Sequence, residues 1–257
     1  VLFTMVSTGK DLNDVYFGSK GVLSNSAKKP KILIDCSSVG SDESEAIRSK
    51  LSDMGIEYLA CPVSGNGKAV KAGVLSIVAS GPKGTFDTVK PYLEIIAPKG
   101  VSYVGEGELA RFCKIAHNVM LGVVIQNLAE ITVLAEKAGV PRHAFLNFMN
   151  NSVMGSIFTK YKSNAFVNLD WTTTFTAPLL LKDLDLGLTS AKELGVSMPV
   201  TAATRQAVQQ HAGRVQKLSE DNLAKDFGML IESVADGAGM TLVSEDVVVP
   251  TGLEVKE

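Results

Sequence analysis

The hydrophobic periodicity of this chain changes once, and that change restricts the fold more than any other feature. Through the first hundred residues, short β-rich apolar runs at 1–6, 31–37, 56–63, 75–79 and 101–104 alternate with helical patterns near 11–17, at 42–54 and at 85–96. Such alternation points to a layered α/β arrangement with a mainly parallel sheet, because parallel neighbours need a crossover and the crossing helices cover the sheet faces. Ser41 or Asp42 is placed to cap the second helix, and Gly55 to end it. Beyond Gly107 the strand signal stops. One long helical pattern covers 108–137, ended by Gly139 and Pro141, and others cover 142–150, 156–163, 177–194, 200–218 and 224–235. The sequence thus divides into an α/β domain over 1–107 and an all-α domain over 108–243, joined at the long helix without a linker. The Pro/Gly-punctuated remainder, 244–257, has no helical period and reads as a mobile tail.

A formal net charge of −2 offers no electrostatic basis for binding nucleic acid or an anionic membrane. Cys36, Cys61 and Cys113 form no CxxC pair, and His117, His143 and His211 stand at no metal-ligand spacing from them, so no metal site is read. Three reduced thiols suit a reducing compartment such as the cytoplasm. No uncharged run reaches the roughly 18 to 20 residues of a membrane span; the nearest, 115–129, holds His117, Asn118, Gln126 and Asn127 and reads as a buried helix. The chain opens at Val1 within an apolar strand, with neither an initiating Met nor the basic lead-in of a signal peptide. It therefore reads as a fragment whose start, with any targeting segment, has been lost.

The long helix carries the most chemistry. At about 100° per residue, Lys114, His117, Asn118 and Gly122 share one broad stripe with Arg111 beside them. Their neighbours (Phe112, Ile115, Val119, Met120, Leu121, Val123, Val124 and Ile125) are apolar nearly all round, so burial is expected. A buried lysine must pair with a charge or lose its proton, and a proton-exchanging lysine near neutrality is what acid/base catalysis requires. A lysine near a helix end can equally run its stem along the surface into solvent. Gly122 would let another backbone or a ligand come close.

Two strand ends carry further candidates. Pro62-Val63-Ser64-Gly65-Asn66-Gly67 follows a strand, and successive backbone N–H groups with the Ser64 hydroxyl can hold a carboxylate there; an ordinary turn would look the same. Asp35-Cys36-Ser37-Ser38 ends another strand, where open α/β sheets contact ligands, although these serines could instead help to cap the next helix. Lys182-Asp183 lies within the apolar run 178–188, with a surface pair to Asp183 or Asp185 as the plainer reading.

The order of these motifs is more specific than any one of them. DCSS, then PVSGNGKAVKAG, then GEGELARFCKIAHN, then KDLDLGL resembles the β-hydroxyacid dehydrogenase family, over residues 1 to about 239. That family includes 3-hydroxyisobutyrate dehydrogenase and, more distantly, 6-phosphogluconate dehydrogenase. The resemblance implies an incomplete Rossmann-type domain followed by an all-α domain, NAD or NADP as cofactor, a small β-hydroxy acid as substrate, and a homodimer or homotetramer. It implies Lys114 as the catalytic acid/base, Ser64, Gly65 and Asn118 at the substrate, and Met5, Val6, Ser38, Phe175 and Lys182 along the cofactor. Asn66 departs from the family's usual second glycine, which would narrow the pocket or add a donor. His117-Asn118 departs from the Asn-Asn of short members, a difference read as tuning the substrate. The Gly-x-Gly-x-x-Gly of a first βαβ unit is not in the sequence. Two other readings share the scaffold: an imine reductase, which usually lacks the lysine, and a non-catalytic dehydrogenase-like module.

Overall fold

A computed structural model describes residues 1–25 and 28–254. Strands β1 (Leu2–Thr4), β2 (Ile32–Asp35) and β3 (Glu57–Ala60) form a parallel sheet in that order, with Leu33 opposite both Leu2 and Tyr58. Strands β4 (Val63–Ser64), β5 (Ser76–Ala79) and β6 (Gly100–Tyr103) form a second sheet, in which β4 runs antiparallel and β6 parallel to β5. A bridge between Ala60 and Ser80, each N–H donating to the other's carbonyl, joins β3 to the end of β5.

Helices α1 (Gly9–Phe17), α2 (Ser41–Asp53), α3 (Gly67–Lys71) and α4 (Lys83–Ile96) lie between the strands. Alternate residues of β2 point to opposite faces. Leu33 and Tyr58 pack with Leu12 and Tyr16 of α1 and with Ile47 and Leu51 of α2. Ile34 and Leu59 pack with Phe86, Val89 and Leu93 of α4. Burial on both faces is why β2 and β3 read as continuous apolar runs. All three thiols are free, and burial pushes Cys36 up to about 12 and Cys61 higher, which leaves both inert.

The α2 cap differs from the sequence expectation. Gly40 is the cap residue rather than Ser41 or Asp42, because the Glu43 side chain reaches back to accept the Gly40 N–H. Gly55 follows the helix in the left-handed region, as expected.

The long helix α5 (Leu109–Lys137) leads into α6 (Arg142–Asn151), α7 (Ile157–Asn168), α8 (Ala177–Glu193), α9 (Pro199–Leu218) and α10 (Leu230–Gly237). The last begins later than expected, because Asp226 caps a 3-10 turn, Phe227–Met229, ahead of it. Two compact units result, Val1–His117 and Asn118–Glu257. The first turns of α5 are tied to the α/β unit. Ser80 Oγ donates to the Gly107 carbonyl and accepts from Ala110 N, while Arg48 bonds Gly107 O and Glu108.

In the second unit, Ile125 and Leu128 of α5 share a core with Leu180 and Leu184 of α8, Val208 of α9, and Leu230 and Ile231 of α10. Burial of α5 is one-sided rather than complete: Met120 and Leu134 are each 69% exposed. An 18-residue window of α5 has a mean hydropathy of 1.5, apolar and long enough by composition for a membrane span, and half of it is buried in this protein's own fold.

Of the expected mobile tail, the described residues 244–254 are instead laid down along α6 and α7. Glu245 accepts the Arg142 and His143 N–H groups at the start of α6, where unpaired amides favour a carboxylate. Asn168 exchanges two hydrogen bonds with Val247, and Leu253 is buried. Arg142, itself buried, takes the Val243 carbonyl as one of its acceptors.

A buried ion pair staples this unit. Lys162 Nζ lies 2.5 Å from Asp226 Oδ1, and Thr174 N and Gly228 N also donate to that carboxylate. Burial alone would push the Asp226 carboxyl up, but Lys162 and these donors hold it below its ordinary value. Lys162→Met would leave the carboxylate buried without its cation and is expected to cost about 3–5 kcal/mol in urea unfolding. His211 supplies a pH-dependent contribution: burial, with Arg214 nearby, pushes its imidazole down to about 4 from 6.5. The unfolded chain binds that proton first, so the stability is full above pH 6.5 and is lost as pH falls toward 4. In unfolding midpoints measured across that interval, His211→Gln is expected to flatten the decline.

Candidate active site

The ends of β1 and β2 lie side by side, as their parallel pairing requires. Val6 N donates to Ser37 Oγ at 2.9 Å, and Ser37 Oγ donates to Asp35 Oδ1 at 2.7 Å. Thr4 Oγ1 adds a bond to the same oxygen at 3.0 Å. Asp35 is fully buried, and its other oxygen takes the Arg111 guanidinium at 2.5 Å. Met5 is exposed, while Val6 and Ser38 are half-buried beside this network. Neither Ser37 nor Ser38 caps α2, since Gly40 does.

On the β4 loop, Ser64 Oγ pairs with His117 Nε2 at 2.9 Å. The strand end therefore meets α5 one turn beyond Lys114, which is half-buried. Gly65 has φ +137°, and a Cβ there would come within 2.9 Å of both Ala69 Cβ and Leu75 Cδ1. Asn66 caps α3: its Oδ1 accepts from Lys68 N and Ala69 N at the start of that helix.

In the helical unit, Asn118 is buried and its Nδ2 donates to Asp183 Oδ2 at 2.6 Å. Lys182 Nζ lies 3.4 Å from Asp183 Oδ1, while Asp185 pairs with Arg205. Phe175 sets its ring edge-on to Phe227, centroids 5.7 Å apart. Gly122 admits Leu180 and Leu184 of α8, which a Cβ would meet at 3.1 and 2.9 Å, rather than a backbone or a ligand. Within the first unit, then, Met5, Val6 and Ser38 adjoin one strand-end network, and Ser64 joins the helix turn after Lys114. Asn118 and Lys182 meet through Asp183. Sequence reasoning named Asp183 only as a surface partner of Lys182 and missed its bond to Asn118 and the partners of Arg111, although a carboxylate within an apolar run is a signal that could have drawn attention to the first.

Two family models match the chain. Residues 1–105 match the NAD binding domain of 6-phosphogluconate dehydrogenase, and residues 109–226 match the NAD-binding domain of NADP-dependent 3-hydroxyisobutyrate dehydrogenase. The chain belongs to the β-hydroxyacid dehydrogenase family. This member is 28% identical to the 2-hydroxy-3-oxopropionate reductase of Escherichia coli K12 over 80% of its own length and 70% of the relative's. To a 3-hydroxyisobutyrate dehydrogenase of Pseudomonas aeruginosa it is 27% identical, over 82% of its length and 73% of the relative's. A crystal structure of 3-hydroxyisobutyrate dehydrogenase from Salmonella typhimurium superposes with a TM-score of 0.79 at 24% identity, over 90% of this chain and 78% of that one, and shares its fold.

The cofactor of this dehydrogenase family is NAD or NADP. The strand ends present suit a bound ligand of that kind. Val6 and Ser38 stand at the carboxyl ends of adjacent parallel strands, where open α/β sheets take ligands. The buried carboxylate beneath them, Asp35, is paired with Arg111 and so presents no uncompensated charge to a ligand. Gly65→Ala, which places a Cβ in the left-handed region against two side chains, is expected to cost about 1–3 kcal/mol in thermal unfolding.

Proposed function

We propose that this protein transfers a hydride between NAD(P) and a small β-hydroxy acid of the 3-hydroxyisobutyrate kind, with Lys114 as general acid/base. One observation carries the reading: the Ser64–His117 contact brings the β4 loop onto α5 one turn beyond Lys114, so an acid held at that loop has the lysine as its neighbour. The bound nicotinamide supplies the hydride acceptor in oxidation and the hydride donor in reduction. Neutral Lys114 Nζ takes the proton of the substrate hydroxyl in oxidation, and protonated Nζ returns it in reduction. Ser64 Oγ and the Gly65 N–H hold the carboxylate side of the acid. Asn118 orients the acid, its amide turned by Asp183 so that one N–H is already committed. Met5, Val6 and Ser38 border the cofactor in the same reading, and the protein assembles as a homodimer or homotetramer through the helical unit.

The test is nicotinamide absorbance in the full-length gene product, screened with small β-hydroxy acids and both cofactors. Lys114→Ala is expected to lower kcat by about 100-fold or more. A variant that keeps its turnover overturns the assignment of Lys114.

A further inference from the structure

Arg111 is 1% exposed and donates four hydrogen bonds to three elements and the loop between two of them. Its Nε reaches Ser44 Oγ of α2 at 3.1 Å, and one terminal nitrogen reaches the Ser37 carbonyl, past the end of β2, at 2.6 Å. The other terminal nitrogen reaches Asp35 Oδ2 of β2 at 2.5 Å and the Tyr58 hydroxyl of β3 at 2.9 Å. Asp35 continues the chain through Ser37 Oγ to the Val6 N–H. A buried ion pair adds little net stability over apolar groups of the same volume, since both charges give up water. What a planar guanidinium with four acceptors adds is direction: an apolar contact tolerates a slide along the helix axis, and this one does not.

We infer that Arg111, held by Asp35, is a positioning residue that registers Lys114 against the ends of β1 and β2. Lys114 lies one turn further along the same helix, about 4.5 Å along its axis. Displacing reacting groups by about 1 Å can cost about 100-fold in rate. The inference rests on the reading of Lys114 and of the strand ends proposed above.

It is tested by steady-state kinetics and thermal unfolding on the full-length protein, after wild-type turnover with its acid has been measured. Arg111→Met is expected to lower kcat about 100-fold while KM for the acid stays within about twofold. Arg111→Lys, which keeps the charge and loses the fork, is expected to fall between that variant and the wild type. The double variant Arg111→Met with Asp35→Leu is expected to recover most of the wild-type Tm and little of its kcat. Recovery of kcat together with Tm would mean that the pair only stabilises the fold, and overturns the inference, as does a loss confined to KM. If Arg111→Met does not fold, Tyr58→Phe removes one of the four bonds and leaves the ion pair. A several-fold fall in its kcat at unchanged KM supports the inference, and unchanged kcat overturns it. A wild-type protein that turns over no hydroxy acid removes the proposed function and this inference together, whereas an effect absent only from the variants removes this one alone.

Discussion

Strands β1, β2 and β3 and the start of α5 converge on the contact between Asp35 and Arg111. A carboxylate with no exposure and a guanidinium with almost none are stable there only because each remaining polar atom finds a partner. Thr4 and Ser37 serve one oxygen of Asp35, and Ser44, Ser37 and Tyr58 occupy the rest of Arg111. The same bonds tie the ends of β1, β2 and β3 to the start of α5. That attachment, with the Arg48 and Ser80 bonds around Gly107, explains why the division between the units lies beyond Lys114.

The helical unit applies the same solution twice more. Lys162 and Asp226 are both buried, and the carboxylate is saturated by backbone and hydroxyl donors. Arg142 is buried at the start of α6, and the carbonyls it needs come partly from Val243. The tail is thus held because a buried guanidinium and the open amides of a helix start both need acceptors. In each case a long cation side chain crosses a gap between elements that apolar packing alone would leave free to slide.

Much of the fold was legible in the sequence, for definite reasons. β2 and β3 are buried on both faces over most of their length and so appear as short apolar runs, and the helices beyond residue 107 carry a 3.6-residue period. The elements that escaped notice are short: β4 has two residues and α3 has five, too few for any period to show. The α2 cap was misplaced because Ser41 and Asp42 are better capping residues than Gly40, yet Glu43 reached back to cap the glycine. The tail has no period at all, and its described residues are held by partners 79 to 103 positions away.

The site divides in the same way. Helix and strand periods placed Lys114, Ser64, Gly65, Asn118 and the two strand ends on their elements, because those periods are local; the roles proposed for them come from the family resemblance and not from any period. Tertiary structure alone decided that His117 meets Ser64, that Asp183 orients Asn118, and that Arg111 finds Asp35 across 76 positions of sequence. Side-chain type states what bonds a residue can make. Which partner satisfies a buried one is settled only when packing removes water and leaves a single donor or acceptor within reach.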